Sequence, residues 1–360
     1  MSETSALAEA FVAEIATAGA TALVGNAPVR AATVQVAGLT LPITVTAPGG
    51  TLSWVASLRS AYGPYASQEL HTLPSLTARR LLAPLVAGID AALVSAGLDR
   101  LVCVNNWLLS TNLYPRWDGS GLDQLTRALE GEHPGHFIAL RSLNARHHGA
   151  LLAHLQARGW SLLPSRRVWI AEPSDPPSHN RRIDARLLAR TPLARAPAAD
   201  FDAADWDRTA DLYAQLYLDK YSSLNPAFTA RFLRWSHQNG FMRIEGLRSA
   251  DGQLLAVAGT IASGGVMTTP LVGYAMDAPR ALGLYRLSMA IAFEDMDRRG
   301  ASYNLSAGVG GFKRLRGARP AIEYTALWHR HLPLPRRLPV AGLGWLLRRL
   351  GVPVMERYDL

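Results

Sequence analysis

Apolar residues recur at helical spacing near the N-terminus (Phe11, Val12, Ile15), and the spacing predicts a helix over 3–18 opened by Ser2 or Thr4. Alternation then takes over: TVQVAGLTLPITVTAPGG reads as two short strands, broken at Gly38 and stopped at Pro48-Gly49-Gly50. Next come a long helix from Pro74 to Ala96 and a short buried strand over LVCVNN. A helix over 120–130, a strand over HFIALRSL, a helix over 144–158 and a strand pair within WSLLPSRRVWIAEP complete the first half. The second half restarts with helices over 204–221 and 226–237. Two alternating runs, MRIEGLRS and QLLAVAGTIAS, flank Asp251-Gly252, a dipeptide that suits a hairpin turn. A strand (VMTTPLVGYAMD), a helix over 284–299, a strand (SYNLSAG), a Gly-rich turn and a closing strand (IEYTALWHR) follow. Strands alternating with helices predict an α/β (α+β) layer fold. Both halves run from helix into mixed sheet, so an internal duplication is expected.

The pattern breaks between Glu172 and Ala199, where five prolines and five arginines occur without a large aromatic residue. This stretch is the expected linker. The predicted organisation is an N-terminal half (1–172), a linker (173–199), a C-terminal half (200–330) and a basic amphipathic tail (331–360).

Composition narrows the picture. With 360 residues, 49% of them hydrophobic and 18% charged, the chain is too apolar for disorder and long enough for two domains. A lone Cys103 allows no internal disulfide and no cysteine-based zinc site. His147-His148 and His329-x-His331 lack further ligands at metal spacing, so no metal is expected. The acidic N-terminus has no basic residue before Arg30, unlike a signal peptide, and no apolar run reaches the roughly 18 residues of a spanning helix. A soluble, cytoplasmic protein is expected. The net charge of +9 is confined to one end: residues 1–297 hold 25 basic and 25 acidic side chains, whereas 298–360 hold 12 and 3. A basic coat for wrapping nucleic acid is therefore not expected. Only Lys220 and Lys313 are lysines among 37 basic residues. In so arginine-biased a chain a retained lysine hints that a compact ammonium with a movable pKa is needed.

Residues 277–324 concentrate the candidate chemistry. A strand ends at Asp277, and the loop Arg280-Ala-Leu-Gly283-Leu284-Tyr285-Arg286 opens a helix, whose free N–H groups and dipole suit a phosphate or a developing oxyanion. The next strand ends at Asn304 and Ser306. Gly308, Gly310 and Gly311 permit close backbone approach before Phe312-Lys313, and Arg314, Arg316 and Arg319 gather beside them. Glu245 and Asp277 are the nearest strand-borne carboxylates and the conventional general-base candidates. In the first half Asn105, Asn106, Ser110 and Asn112 interleave with Trp107 after a buried strand. With Tyr65 in a second aromatic cluster, they could line an acceptor pocket. Plainer roles stand beside each of these: Gly283 as a turn glycine, Lys313 as a solvated cation, Tyr285 as packing, the asparagines as turn caps.

The loop, strand, Phe-Lys pair and closing strand in this order resemble the GNAT acyltransferase superfamily, and within it the FemAB-like branch of two tandem GNAT-like halves. Arg280-x-x-Gly283-x-Tyr285 stands where such enzymes carry a pyrophosphate loop, with Tyr285 in place of a small residue. SAGVGGFKRLRG resembles the branch's Gly-rich turn, aromatic and lysine, and Lys313 matches the lysine that lies at the catalytic centre of peptidyl-transferring relatives. The resemblance implies a donor site of Arg280, Gly283, Leu284, Arg286, Gly310, Gly311 and Arg316, and a catalytic set of Lys313, Tyr285 and Asn304 with Glu245 or Asp277. It implies amide formation from an acyl-CoA or acyl-carrier-protein phosphopantetheine thioester and a small-molecule amine. An aminoacyl-tRNA donor is the alternative, and a non-catalytic GNAT-like binding module a second one. The tail, with Arg336-Arg337 and Arg348-Arg349 around Leu343, Trp345 and Leu347, reads as a peripheral contact with an anionic membrane or as a cover for the last strand.

Overall fold

The computed structural model describes residues 3–46, 49, 52–70 and 75–358. Ser2, Pro48, Gly50 and Pro74, on which parts of the sequence reading rest, lie outside the described residues.

Alternation builds one eleven-stranded sheet. In chain order its strands are β1 (Arg30–Val36), β2 (Leu39–Thr46), β3 (Leu101–Val104), β4 (Phe137–Asn144), β5 (Ser161–Ala171), β6 (Ala194–Pro197), β7 (Arg243–Arg248), β8 (Leu254–Ser263), β9 (Val266–Tyr274), β10 (Ser302–Asn304) and β11 (Arg319–Trp328). Across the sheet they lie β1-β2-β3-β4-β11-β5-β10-β9-β8-β7-β6. Neighbours are antiparallel except β3 with β4 and β9 with β10, one parallel pair on each side. The order is close to a palindrome about β5 and β11. Each half lends its last strand to the other: β11 lies between β4 and β5, and β5 lies between β11 and β10. The expected α/β fold with two tandem, mostly antiparallel halves is what forms, with the halves interlocked through these two strands.

The helices used below are α1 (Glu3–Ala18), α2 (Leu76–Ala96), α3 (Leu122–Glu132), α4 (Ala145–Ala157), α5 (His179–Arg190), α6 (Ala203–Ala214), α7 (Ala230–Gln238), α8 (Leu284–Arg299), α9 (Gly310–Arg314) and α10 (Leu334–Leu346). Capping side chains set several of their starts: Asn144 accepts from His147 N, Ser178 from Arg181 N and Thr229 from Phe232 N. Asp202 and Asp205 form a reciprocal capping box at α6. One large core of buried aromatic and aliphatic residues joins α1, α6, α7 and α8 to β7 and β8, and smaller ones sit under α3 and α4 and beneath α10.

Three expectations need correction. The stretch 173–199 is folded rather than an open linker: Ser178 caps α5, Leu188 is buried, and β6 pairs with β7 at the sheet edge. Its composition misled because the charges are consumed in place, Arg181 by Asp297 and Arg195 by Glu245 and Glu294. The expected strand pair over 160–173 is one strand, β5. Its register against β11 slips at Ser165, next to Pro164, which has no N–H for a ladder. The Gly-rich turn after β10 winds into the short helix α9.

The hairpin joining β8 to β9 turns through Gly264 and Gly265 at φ +60° and +87°. A Cβ on Gly264 would stand 2.5 Å from the Tyr114 carbonyl oxygen, in the loop after β3. Gly264→Ala is expected to cost about 1–3 kcal/mol through overpacking against backbone and left-handed strain. A lowered urea midpoint at an unchanged slope would register it.

Candidate functional site

The C-terminal half places its chemistry where its parallel pair opens. β10 pairs with β9 only from Ser302–Val266 to Asn304–Thr268, while β9 continues to Tyr274. Among the described residues, the β10-side edge of β9 has no sheet partner beyond Thr268. The loop after β9 ends at Gly283, whose φ of +64° and ψ of +35° start α8 without a side-chain cap. The first N–H groups of this 16-residue helix (Leu284, Tyr285, Arg286) therefore have neither a cap nor an intrahelical partner. A Cβ at Gly283 would lie 3.1 Å from Leu187, so glycine serves both the turn and the packing of α5.

Lys313 follows the end of β10 in the chain. It sits on α9, is 3% exposed, and its Nζ donates to the Ser306 and Ala307 carbonyls at 3.1 and 2.6 Å. No carboxylate is among those partners. Burial, with the positive charge of Arg166 as a lesser cause, lowers its pKa from the ordinary 10.5 to about 7. The sequence reading made it a catalytic candidate with a solvated cation as the plainer role; it is not solvated but a buried amine whose pKa lies near neutrality. Asn304 does not reach outward. Its Oδ1 accepts from Ser306 N at 2.9 Å and holds the turn in which Ser306 takes φ +60°.

Tyr285 packs its ring 4.8 Å from Phe312 and 6.0 Å from Tyr274, and burial raises its hydroxyl pKa. Of the cations assigned to the donor, Arg280 is exposed on the loop. Arg286 and Arg316 converge on Asp184 of α5, at 2.7 and 2.6 Å. Asp184 and Arg316 are 2% and 6% exposed, so this pair anchors α5 against the start of α8 and the end of α9. Gly310 is buried and Gly311 exposed, both in α9.

The two carboxylates proposed as bases do not come to Lys313. Glu245 lies on β7, three strands from β10, held by Arg195 and Arg243 in an ionic cluster around the buried Asp295. Asp277 is exposed in the loop after β9.

In the N-terminal half the asparagines build their loop rather than line a pocket. Asn105 Nδ2 donates to Leu113 O at 2.9 Å and its Oδ1 accepts from Trp107 Nε1 at 3.0 Å. Asn106 donates to Thr44 Oγ1 and Val55 O, and Asn112 accepts from Trp107 N. All three are fully buried. Trp107 stacks on Phe241 at 4.8 Å and lines a cavity of about 360 Å³ with Met242, Arg243 and Arg299, a space that Lys313 does not line. Ser110 is closer to the chemistry, because its carbonyl accepts from Arg166 at 2.6 Å, and Tyr65 packs 5.6 Å from Trp54.

At the junction the sequence reading picked out Ser306 but missed Arg166, Glu323 and Trp54. Arg166 of β5 bonds Glu323 of β11 at 2.8 Å and Thr111 Oγ1 at 2.8 Å, and Thr111 reaches Ser306 of the other half at 3.2 Å. Trp54 carries the guanidinium groups of Arg141 and Arg166 on its ring, 4.9 and 5.1 Å from the centroid. The pair Arg166-Arg167 between Leu163 and Val168-Trp169 in one strand was the available signal. The non-glycine residues with positive φ point to the same place. Besides Ala37 they are Asn105, Leu108, Ser142, Ser306 and Val309, in the loops or bulge beside the two parallel pairs. Strained backbone of this kind persists where the surroundings over-determine it, commonly at binding sites.

Residues 179–314 match the family model described as an acetyltransferase (GNAT) domain. No curated protein sequence matches the chain. Among solved structures the chain is similar to L-PGS from Bacillus licheniformis, at 12% identity over 93% of this chain and 96% of that one, with a TM-score of 0.49. It is similar also to the C-terminal domain of a putative lysylphosphatidylglycerol synthetase from Agrobacterium fabrum, at 16% identity over 69% and 81%, TM-score 0.46. FemX is a third, at 9% identity over 57% and 76%, TM-score 0.44. Residues 179–314 thus match a GNAT acetyltransferase domain, and they are set in a sheet whose other half mirrors their strand plan.

Proposed function

We propose that the protein is an N-acyltransferase that forms an amide from a thioester and an amine acceptor. The observation that carries this reading is Lys313, a buried amine held by the Ser306 and Ala307 carbonyls just after β10, its pKa lowered to about 7. The uncapped N–H groups of Leu284, Tyr285 and Arg286, with Gly283 leaving room beside them, suit the pyrophosphate of coenzyme A or the phosphate of a carrier-bound phosphopantetheine. Arg280 adds an exposed cation on the same loop. Arg286 and Arg316 act less directly than the sequence reading had it, by tying the loop to Asp184.

The acceptor amine attacks the thioester carbonyl, and neutral Lys313 takes the proton released from the attacking nitrogen. Now an ammonium, Lys313 faces a tetrahedral oxyanion. As the C–S bond breaks, the departing thiolate receives the proton, leaving amide and free thiol. A positioned acid–base group of this kind is worth about 10²–10⁴ in rate, and holding two substrates between interlocked halves supplies more. The test is thiol release from acyl-CoA donors across an amine panel, alongside native mass spectrometry of freshly purified protein. A coenzyme A or phosphopantetheine adduct with acceptor-dependent thiol release is expected. Copurified tRNA without thiol release would overturn the thioester in favour of an aminoacyl-tRNA donor, and lipid alone would favour a binding module.

A membrane-facing surface accompanies this reading. On α10, Leu334, Leu338 and Trp345 are 59–65% exposed and share one stripe by helical spacing. α10 packs on α2, where Leu81 and Leu85 are exposed and none of the described side chains of residues 76–92 is buried. The two helices contain one acidic residue, Asp90, bound by Arg59, while Arg348 and Arg349 lie exposed just beyond α10. Among the described residues no helix is long and apolar enough to cross a membrane. Contact with an anionic bilayer surface is the partner this chemistry fits. Sedimentation with phosphatidylglycerol vesicles but not phosphatidylcholine vesicles is expected, weakened by salt and by Leu338→Asp. Equal binding to both vesicle types would sink the idea.

A further inference from the structure

The junction of the halves gathers three basic side chains around a single bonded carboxylate. Arg141, Arg166 and Lys313 gather around Trp54 and the Ser306 turn, linked through Thr111, and the carboxylate bonded within the group is Glu323, taken by Arg166. Arg141 is 4% exposed and bonds only neutral oxygens, Val55 O at 3.1 Å and Asn106 Oδ1 at 3.4 Å. Among the described residues it has no ion-pair partner. Val55 O already accepts from Asn106 Nδ2 at 3.0 Å, so satisfying that carbonyl does not require an arginine.

The backbone is bent to bring Arg141 here. Between Leu140–Ala326 and Leu143–Tyr324 the β4–β11 register shifts, so that Arg141 and Ser142 face Thr325 alone, and Ser142 takes φ +65°. Bulges re-aim a side chain at the expense of ladder bonds, and a buried charge without a counter-charge is costly. The bulge itself is braced, since Ser142 Oγ accepts from Asn112 N and the Arg141 carbonyl from the Tyr114 hydroxyl. What it leaves is a buried guanidinium with Glu323 nearby but no ion pair of its own among the described residues. Partly exposed Tyr65, Ser110, Arg166 and Ser306 open the cluster toward solvent on one side.

We infer that Arg141, with Arg166 and the face of Trp54, binds a carboxylate or phosphate oxyanion of a substrate and seats that substrate beside Lys313. A guanidinium fork matches either anion in two parallel bonds. The word substrate rests on the acyl-transfer reading; the anion site itself does not. Thermal unfolding of the full-length protein in sodium phosphate, sodium acetate or sodium chloride at matched ionic strength tests it. A saturable rise of about 2 °C is expected with phosphate or acetate and not with chloride. A response to phosphate alone assigns a phosphate-bearing substrate, and to acetate alone a carboxylate. Arg141→Met is expected to lose the response while melting no lower than the wild type, and Arg141→Lys to retain a weaker one. No response in the wild type, an undiminished response in Arg141→Met, or misfolding of that variant would each overturn the inference. None of these readouts requires turnover, so a protein that binds the anion yet releases no thiol would retire the acyl-transfer reading alone.

Discussion

Lys313→Ala is expected to lower turnover at least a hundredfold while the fold survives, because the buried amine is the group placed to take the acceptor's proton. The pH dependence follows from its pKa of about 7. Neutral lysine is the working base, so kcat/KM should rise with pH through an apparent pKa near 7 and flatten above it, and the variant should lack this limb. Lys313→Arg separates base from oxyanion stabiliser. A guanidinium cannot deprotonate, so that variant stays inactive if proton transfer is the role. Full activity in Lys313→Arg would assign Lys313 a purely electrostatic part. Stability carries the opposite sign from activity loss. The unfolded chain holds the proton up to about 10.5, the fold only to about 7, so between these values the unfolded chain binds more protons and stability rises with pH. Below pH 7 the burial costs its full amount, on the order of 5 kcal/mol from that pKa gap. Lys313→Met should therefore raise the urea midpoint at pH 6 and do little near pH 10. Equal effects at both pH values would refute the lowered pKa.

Asp184→Asn is expected to destabilise the protein by about 3–5 kcal/mol, since it leaves Arg316 buried without its counter-charge. It also frees Arg286 and the first turn of α8, so any affinity for coenzyme A should fall with it. Packing, rather than ion pairing as such, sets the balance: Asp184→Leu with Arg316→Met removes both charges and should recover much of the loss. An Asp184→Asn protein as stable as the wild type would show that α5 is held by its apolar side alone.

Local elements were legible to different depths in the sequence. The helices over 3–18 and 284–299 and the β7–β8 and β8–β9 hairpins were readable because period and turn chemistry are local. β6 and α5 were not, because a short edge strand and an arginine-rich helix look like linker until their acids, Asp297, Glu245 and Glu294, arrive from elsewhere. Of the site, Gly283, Tyr285 and Lys313 stood out from spacing and from the scarcity of lysine. Glu245 stood out for the wrong reason, since a strand-borne carboxylate reads the same whether it faces a substrate or a pair of arginines. The asparagines at 105, 106 and 112 did mark an unusual loop, but their amides satisfy that loop itself.

By itself the sequence determined the period of each element, the two-part plan, the helix start after Gly283 and the presence of a lysine where arginine prevails. The concentration of the +9 charge near the C-terminus was also there to read. Only the tertiary structure decided that β5 and β11 change sides, which brings Arg166, Glu323 and Thr111 against the Ser306 turn. It alone decided that Lys313 is buried without a carboxylate and that Arg141 is aimed inward by a bulge. The physical reason is the same in each case. Periodicity and turn chemistry act over a few residues, whereas burial, charge balance and a shifted pKa depend on neighbours that are distant in the chain and close only in the fold.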